Sequence, residues 1–214
     1  MVSFLLAEDV YVHPAPAGAY YAVSAIESNP SRRLIQELLK KDSSPLLSLP
    51  ALLEWTGIAE EDQAVTLLHH IHGLGWVQGL EAPAKCSNES LEMQLPYLLK
   101  ALSVHGKVLL ADQQGFYLAS SGFPHEVAEE LSALSADLAS VHDRRSGLLI
   151  NNLGLGSSAW AIVDAAGNGK IGFWPLFIGS QRFVLVINGV PQFNHPDFVN
   201  LVWVLSRRYA LIMA

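Results

Sequence analysis

Three histidines within four residues, His69, His70 and His72, are the first concentration of chemically capable side chains in this sequence. Two imidazoles on one helix share a metal ion when they stand four residues apart, on the same face. No pair here has that spacing and no H-E-x-x-H pattern exists, so the reading is helix-surface histidines and no metal site. Ser120 and Ser121 with His125 invite a nucleophile and its base. Yet there is no G-x-S-x-G and no identifiable orienting carboxylate, and serines ahead of a helix are ordinary caps.

Gly154-Leu155-Gly156 opens like a dinucleotide loop, but Ala159 stands where its third glycine should be. Gly167-Asn168-Gly169-Lys170 lacks the upstream glycine and the following Ser or Thr of a phosphate loop. Both read as turns, and no catalytic residue or cofactor is expected. His142-Asp143-Arg144-Arg145 has one further capacity. Arg144 and Arg145 could meet a partner's nucleotide, since arginine stabilises charge in phosphoryl transfer; the plainer alternative is a solvated helix end.

These residues sit in a chain of 214 residues, long enough for one large domain or two small ones. Half of it is hydrophobic and 15% is charged, a globular balance. The net charge is −7, and acids equal or outnumber bases in both halves, so neither resembles a phosphate-binding surface. The single cysteine, Cys86, excludes an internal disulfide and reads as an inert thiol. The N-terminus has no basic region followed by a signal-length apolar run, and Phe198 to Leu205 stops at Arg207 and Arg208, short of a membrane span. A cytoplasmic protein without membrane insertion is expected.

Residues 1–83 read as a winged-helix-like domain with N-terminal strands near Val10 to His13 and Tyr20 to Ser24. Ser31 can cap a helix carrying Leu34, Ile35, Leu38 and Leu39. Ser48 caps a short helix ended by Gly57. A third helix opens with Glu60-Glu61-Asp62 and runs to Gly73, and Trp76 to Leu80 follows as strand and turn. No Lys or Arg occurs between residues 59 and 84, so phosphates would repel this helix before it could read a base. Nucleic acid is not the expected partner. A DNA-associated regulator, dimerised by its second half, stays as the alternative.

Residues 84–88 read as a linker, and residues 89–214 as a second domain. Leu91 to Leu102 form a helical stripe, with Pro96 either in the first turn or kinking it. Val108 to Ala111 and Phe116 to Gly122 make a hairpin turned by Asp112 and Gly115. A helix from His125 to about His142 follows. Strands are expected at Trp160 to Ala165, Ile171 to Ile178 and Phe183 to Ile187, with Pro175 requiring a bulge or an early end near Trp174. Leu148 to Gly156 is either extra sequence or a strand of its own. A last helix begins near Pro196 and continues through Tyr209 and Ile212, with Val199 and Trp203 giving it a second apolar face. That face packs either on another chain or on the N-terminal domain.

The order helix, strand, strand, helix, strand, strand, strand, helix, with Gly115 to Gly122 (GFYLASSG) leading into an acidic amphipathic helix, resembles the roadblock (dynein light chain) family over about residues 89 to 210. The resemblance implies an α+β fold with an open five-stranded antiparallel sheet and helices on both faces, the first and last opposite the central one. It also implies a homo- or heterodimeric, non-enzymatic platform for small Ras-like GTPases. Such dimers pair the third-strand edge and the central helix, here Trp160, Ile162 and Asp164 with Leu131, Leu134 and Leu138. An apolar edge strand needs a partner on physical grounds as well, because its unpaired backbone groups are a template for association.

Overall fold

The computed structural model describes residues 6–210, so Ile212 of the expected last helix lies outside the described residues. The chain forms two compact units. One takes the chain up to Asn88 and resumes at Phe193; the other is Glu89–Gln192.

The first unit begins with strand β1 (Tyr11–Pro14) and helix α1 (Pro16–Val23). A strand was expected from Tyr20 to Ser24, and the aromatic and β-branched residues there do favour one. Tertiary packing overrides that preference. Pro16 presets the first turn, and Gly18 lies so close to the Trp76 carbonyl that a Cβ there would stand 2.0 Å from its oxygen. Helices α2 (Pro30–Lys40), α3 (Leu49–Thr56) and α4 (Glu61–Gly73) follow, then strand β2 (Val77–Leu80).

The cap of α2 is Asn29, whose side chain accepts from the Arg32 N–H at 2.9 Å, and not Ser31. Pro30 suits only the first helical position, which moves the cap to the residue before it. Ser48 does cap α3, and Gly57 ends it at φ +69°. Strands β1 and β2 pair antiparallel, with Tyr11 opposite Leu80 and Pro14 opposite Val77. Cys86 is buried here, which pushes its thiol pKa up and disfavours the reactive thiolate.

The second unit has helices α5 (Leu91–Lys100) and α6 (His125–Ser146) and strands β3 (Val108–Ala111), β4 (Tyr117–Ser121), β5 (Trp160–Val163), β6 (Gly169–Ile178) and β7 (Gln181–Asn188). Pro96 lies inside α5, past its first turn. The five strands form one antiparallel sheet in the order β4-β3-β7-β6-β5, the open sheet that the roadblock resemblance implies. Helix α6 covers one face. Its Ala128 and Leu131 join Leu109, Phe173, Val184 and Val186 of the strands in a single core.

Two features differ from expectation. Helix α6 runs past His142 to Ser146 and passes into a π-helical turn, Gly147–Asn152, so Leu148 to Gly156 holds no strand. Pro175 neither bulges nor ends β6, whose register with β7 is unbroken from Ile171 to Ile178. Its neighbour β5 pairs only as far as Phe173. Beyond that point β6 has a strand on one side only, and proline is tolerated where its missing N–H would face the open side.

The last helix, α7 (Pro196–Tyr209), is the larger correction. Expected with residues 89–214 as the second helix layer of the sheet, it belongs instead to the first unit and packs on α1 and α2. Every residue of it from Phe198 to Ser206 except Asn200 is buried. The Trp203 indole N–H donates to the Lys41 carbonyl at 2.8 Å. Its second apolar face is therefore spent on the N-terminal helices α1 and α2.

Candidate functional site

The hairpin that leads into α6 is framework. Asp112 Oδ1 accepts from the Gln114 and Phe116 N–H groups at 2.9 and 3.0 Å, and Gly115 closes the turn at φ +90° against Ala133 and Ala136 of α6. Ser120 and His125 are not hydrogen-bonded to each other beside it. The Tyr117 hydroxyl lies 2.7 Å from His125 Nδ1, and His125 Nε2 lies 3.5 Å from Glu129, while the buried Ser120 hydroxyl meets neither. Among the described residues, no group of His, Cys, Asp and Glu could hold a metal ion.

The expected interface residues fall into two sets. Leu131 is 9% exposed and belongs to the core under α6; Leu134 and Leu138 pack partly buried against the same cluster. The apolar stripe of α6 thus faces its own sheet, leaving an exposed face that carries Glu126, Glu129, Glu130 and Asp137. Trp160 also packs on that core, its indole N–H pointing to His142 Nδ1 at 3.4 Å.

Ile162 is different. It is 50% exposed and its neighbour Val163 55%, on a strand that ends the sheet. The outer side of β5 has no strand beside it among the described residues, and Trp160-Ala161-Ile162-Val163 contains no charge and no proline. Val163, between the expected Ile162 and Asp164, shares this exposure. The signal available was the continuous apolar run itself, which lacks the polar face of a solvated strand.

Asp164, expected beside Ile162 at the interface, holds the next turn together. Its Oδ1 accepts from the Ala166 and Asn168 N–H groups, and Lys170 lies 2.9 Å from Oδ2. The Lys170 ammonium and the Asn168 amide hold its carboxyl below the ordinary 3.8. A carboxylate whose folded pKa is depressed stabilises the fold above the unfolded value, and that contribution is lost as pH falls through the folded pKa. In a carbon-detected NMR titration the Asp164 midpoint should therefore lie under 3.8 and rise toward it in Lys170→Met. A midpoint unchanged by that substitution would refute the pairing.

The basic run at the end of α6 divides in the same way. Asp143 pairs with Arg182 of β7 at 2.9 Å. Arg144 and Arg145 are exposed, Arg144 reaching only the Ser140 carbonyl of its own helix at 3.3 Å. Because the backbone continues into the π-helical turn, these arginines do not sit on a terminal set of free carbonyls. The turn and the residues after it present more apolar surface, with Leu148 and Ile150 in the turn and Leu153 and Leu155 beyond it all exposed. A crevice between α6 and the sheet measures about 20 Å³, too small for an organic ligand.

Among the described residues no helix is long and apolar enough to cross a membrane. No protein-family model matches the chain, and no curated protein does. Solved structures similar to it include the two that follow. The Roadblock/LC7 domain from Streptomyces avermitilis aligns with a TM-score of 0.35 and 12% identity, covering 56% of this chain and 93% of that one. Myxococcus xanthus MglB aligns with a TM-score of 0.33 and 17% identity, covering 57% of this chain and 91% of that one.

Proposed function

We propose that this protein is a non-enzymatic, dimeric regulator or scaffold for a small Ras-like GTPase. The observation that carries the dimer is the outer edge of β5, apolar, uncharged and exposed at Ile162 and Val163. Main-chain groups along such an edge pair with a second copy of the same strand, which buries both rows of side chains at once. The GTPase is inferred from the resemblance of the hairpin and element order to the roadblock family. The exposed Arg144 and Arg145 and the apolar π-helical turn provide charged and hydrophobic surface for such a partner.

The first unit supports a winged-helix-like reading through the succession α2, a segment bridged at Ser43 and Leu46, α3, α4 and β2. Its α4 still opens with Glu61 and Asp62, which argues for a protein partner over DNA. Affinity capture with the tagged full chain, once with a GTP analogue and once with GDP, tests the reading. A small GTPase retained preferentially in one nucleotide state is the expected result. Recovery of a self-dimer without any GTPase in either state would defeat the GTPase role.

A further inference from the structure

The first unit carries a groove that the reading above does not use. Its floor is apolar: Val10, Val12, Leu47, Val65, Leu68 and Val77 line a volume of about 300 Å³. Helix α4 supplies Val65 and Leu68 three residues apart, on one face. Strand β1 supplies Val12 with Val10 just ahead of it, and β2 supplies Val77. Gly79 makes the approach possible, since a Cβ there would stand 2.6 Å from Val10 Cγ1.

The rim has the opposite character. Glu8 and Asp9 immediately precede Val10, Glu61 and Asp62 stand one turn before Val65, and Glu81 follows β2; all five are exposed. No Lys or Arg occurs from residue 6 to Ser31, or between Lys41 and Lys85; the basic side chains that line the groove are the imidazoles of His69 and His72 on α4. An apolar floor beside five exposed acids, with no Lys or Arg on the lining segments, disfavours phosphates and fatty-acid carboxylates alike. It suits a helix with leucine-like residues on one face and Lys or Arg beside them, where burial and charge attraction act together.

We propose that this groove docks a basic amphipathic helix of a partner protein, laid along α4 with its apolar face on Leu68 and Val65. The proposal is independent of the GTPase reading, which concerns the other unit.

The probe is a fluorescein-labelled Leu/Lys peptide with its leucines at helical spacing, titrated by anisotropy against the full-length protein. A scrambled peptide of the same composition and a Leu/Glu peptide of the same pattern are the controls. The patterned basic peptide should bind at least about tenfold tighter than either control. Leu68→Lys, at a half-buried position on the groove floor, should weaken binding by a similar factor. The variant Glu61→Gln/Asp62→Asn/Glu81→Gln changes only exposed residues; it should weaken binding several-fold and flatten its salt dependence.

Equal binding of the scrambled peptide would overturn the proposal in favour of plain charge attraction. Equal binding of the Leu/Glu peptide would overturn it in favour of an apolar pocket indifferent to charge. Unchanged salt dependence in the triple variant would remove the acidic rim from recognition and overturn it as well.

Discussion

Replacing Ile162 and Val163 together with lysine is expected to leave a folded monomer if the parent protein dimerises through β5 as proposed. Both side chains are half or more exposed, so lysine can stand there without displacing a core. In a paired edge, two like charges on each copy would face two on the other, which opposes association directly. The loss should exceed about 100-fold in dimer affinity, readable by analytical ultracentrifugation across a dilution series. Near-identical circular dichroism spectra would show that the fold survives. Trp160 is the wrong residue for this experiment, because it packs on the sheet's own core and its loss would mix folding with association. A double variant that stays dimeric would remove β5 from the interface.

The second large effect is expected at Gly122, where the hairpin turns into α6. Its φ is +72°, and a Cβ would stand 2.5 Å from the Gly106 carbonyl oxygen, a backbone atom that cannot rotate away. Gly122→Ala carries two penalties, the left-handed conformation and the displacement of backbone. Together they come to about 2–4 kcal/mol, a fall in melting temperature of roughly 10 °C or more for a unit of this size. Gly154→Ala isolates the first penalty, for Gly154 has φ +66° but no atom within 4 Å of the position of a Cβ. It should cost only about 1 kcal/mol. Equal losses from the two substitutions would show that the Gly106 contact is not a constraint.

Together these variants address different parts of one argument. Gly122 holds the hairpin and helix that position the sheet, and Ile162 and Val163 test what its free edge does. The acids Glu61 and Asp62 at the start of α4 disfavour phosphate contact by the first unit, and the proposed groove beside α4 would use them as its rim.

Local order was legible wherever it was written in consecutive residues. The hairpin announced itself through Asp112 and Gly115, α3 through Ser48 and Gly57, and the five strands through apolar runs between turns. The absence of a metal-spaced histidine pair needed no coordinates either. In these cases the deciding interaction lies within a few residues of its cause, as caps, turns and periodicity do.

What required the tertiary structure was the destination of each apolar face. Leu131, Leu134 and Leu138 have the spacing of a stripe, but spacing does not say whether the stripe meets its own sheet or another chain. The same ambiguity misplaced α7, whose apolar surface suits the sheet or the N-terminal helices equally well by composition. Tyr20 to Val23 became helix in a segment that Pro16 starts and that packs at Gly18 against the Trp76 carbonyl, 58 residues along the chain. Pro175 was tolerated because β5 stops short of it. Hydrophobic burial is non-directional, so a sequence records how much surface must be covered; long-range packing decides which surface covers it.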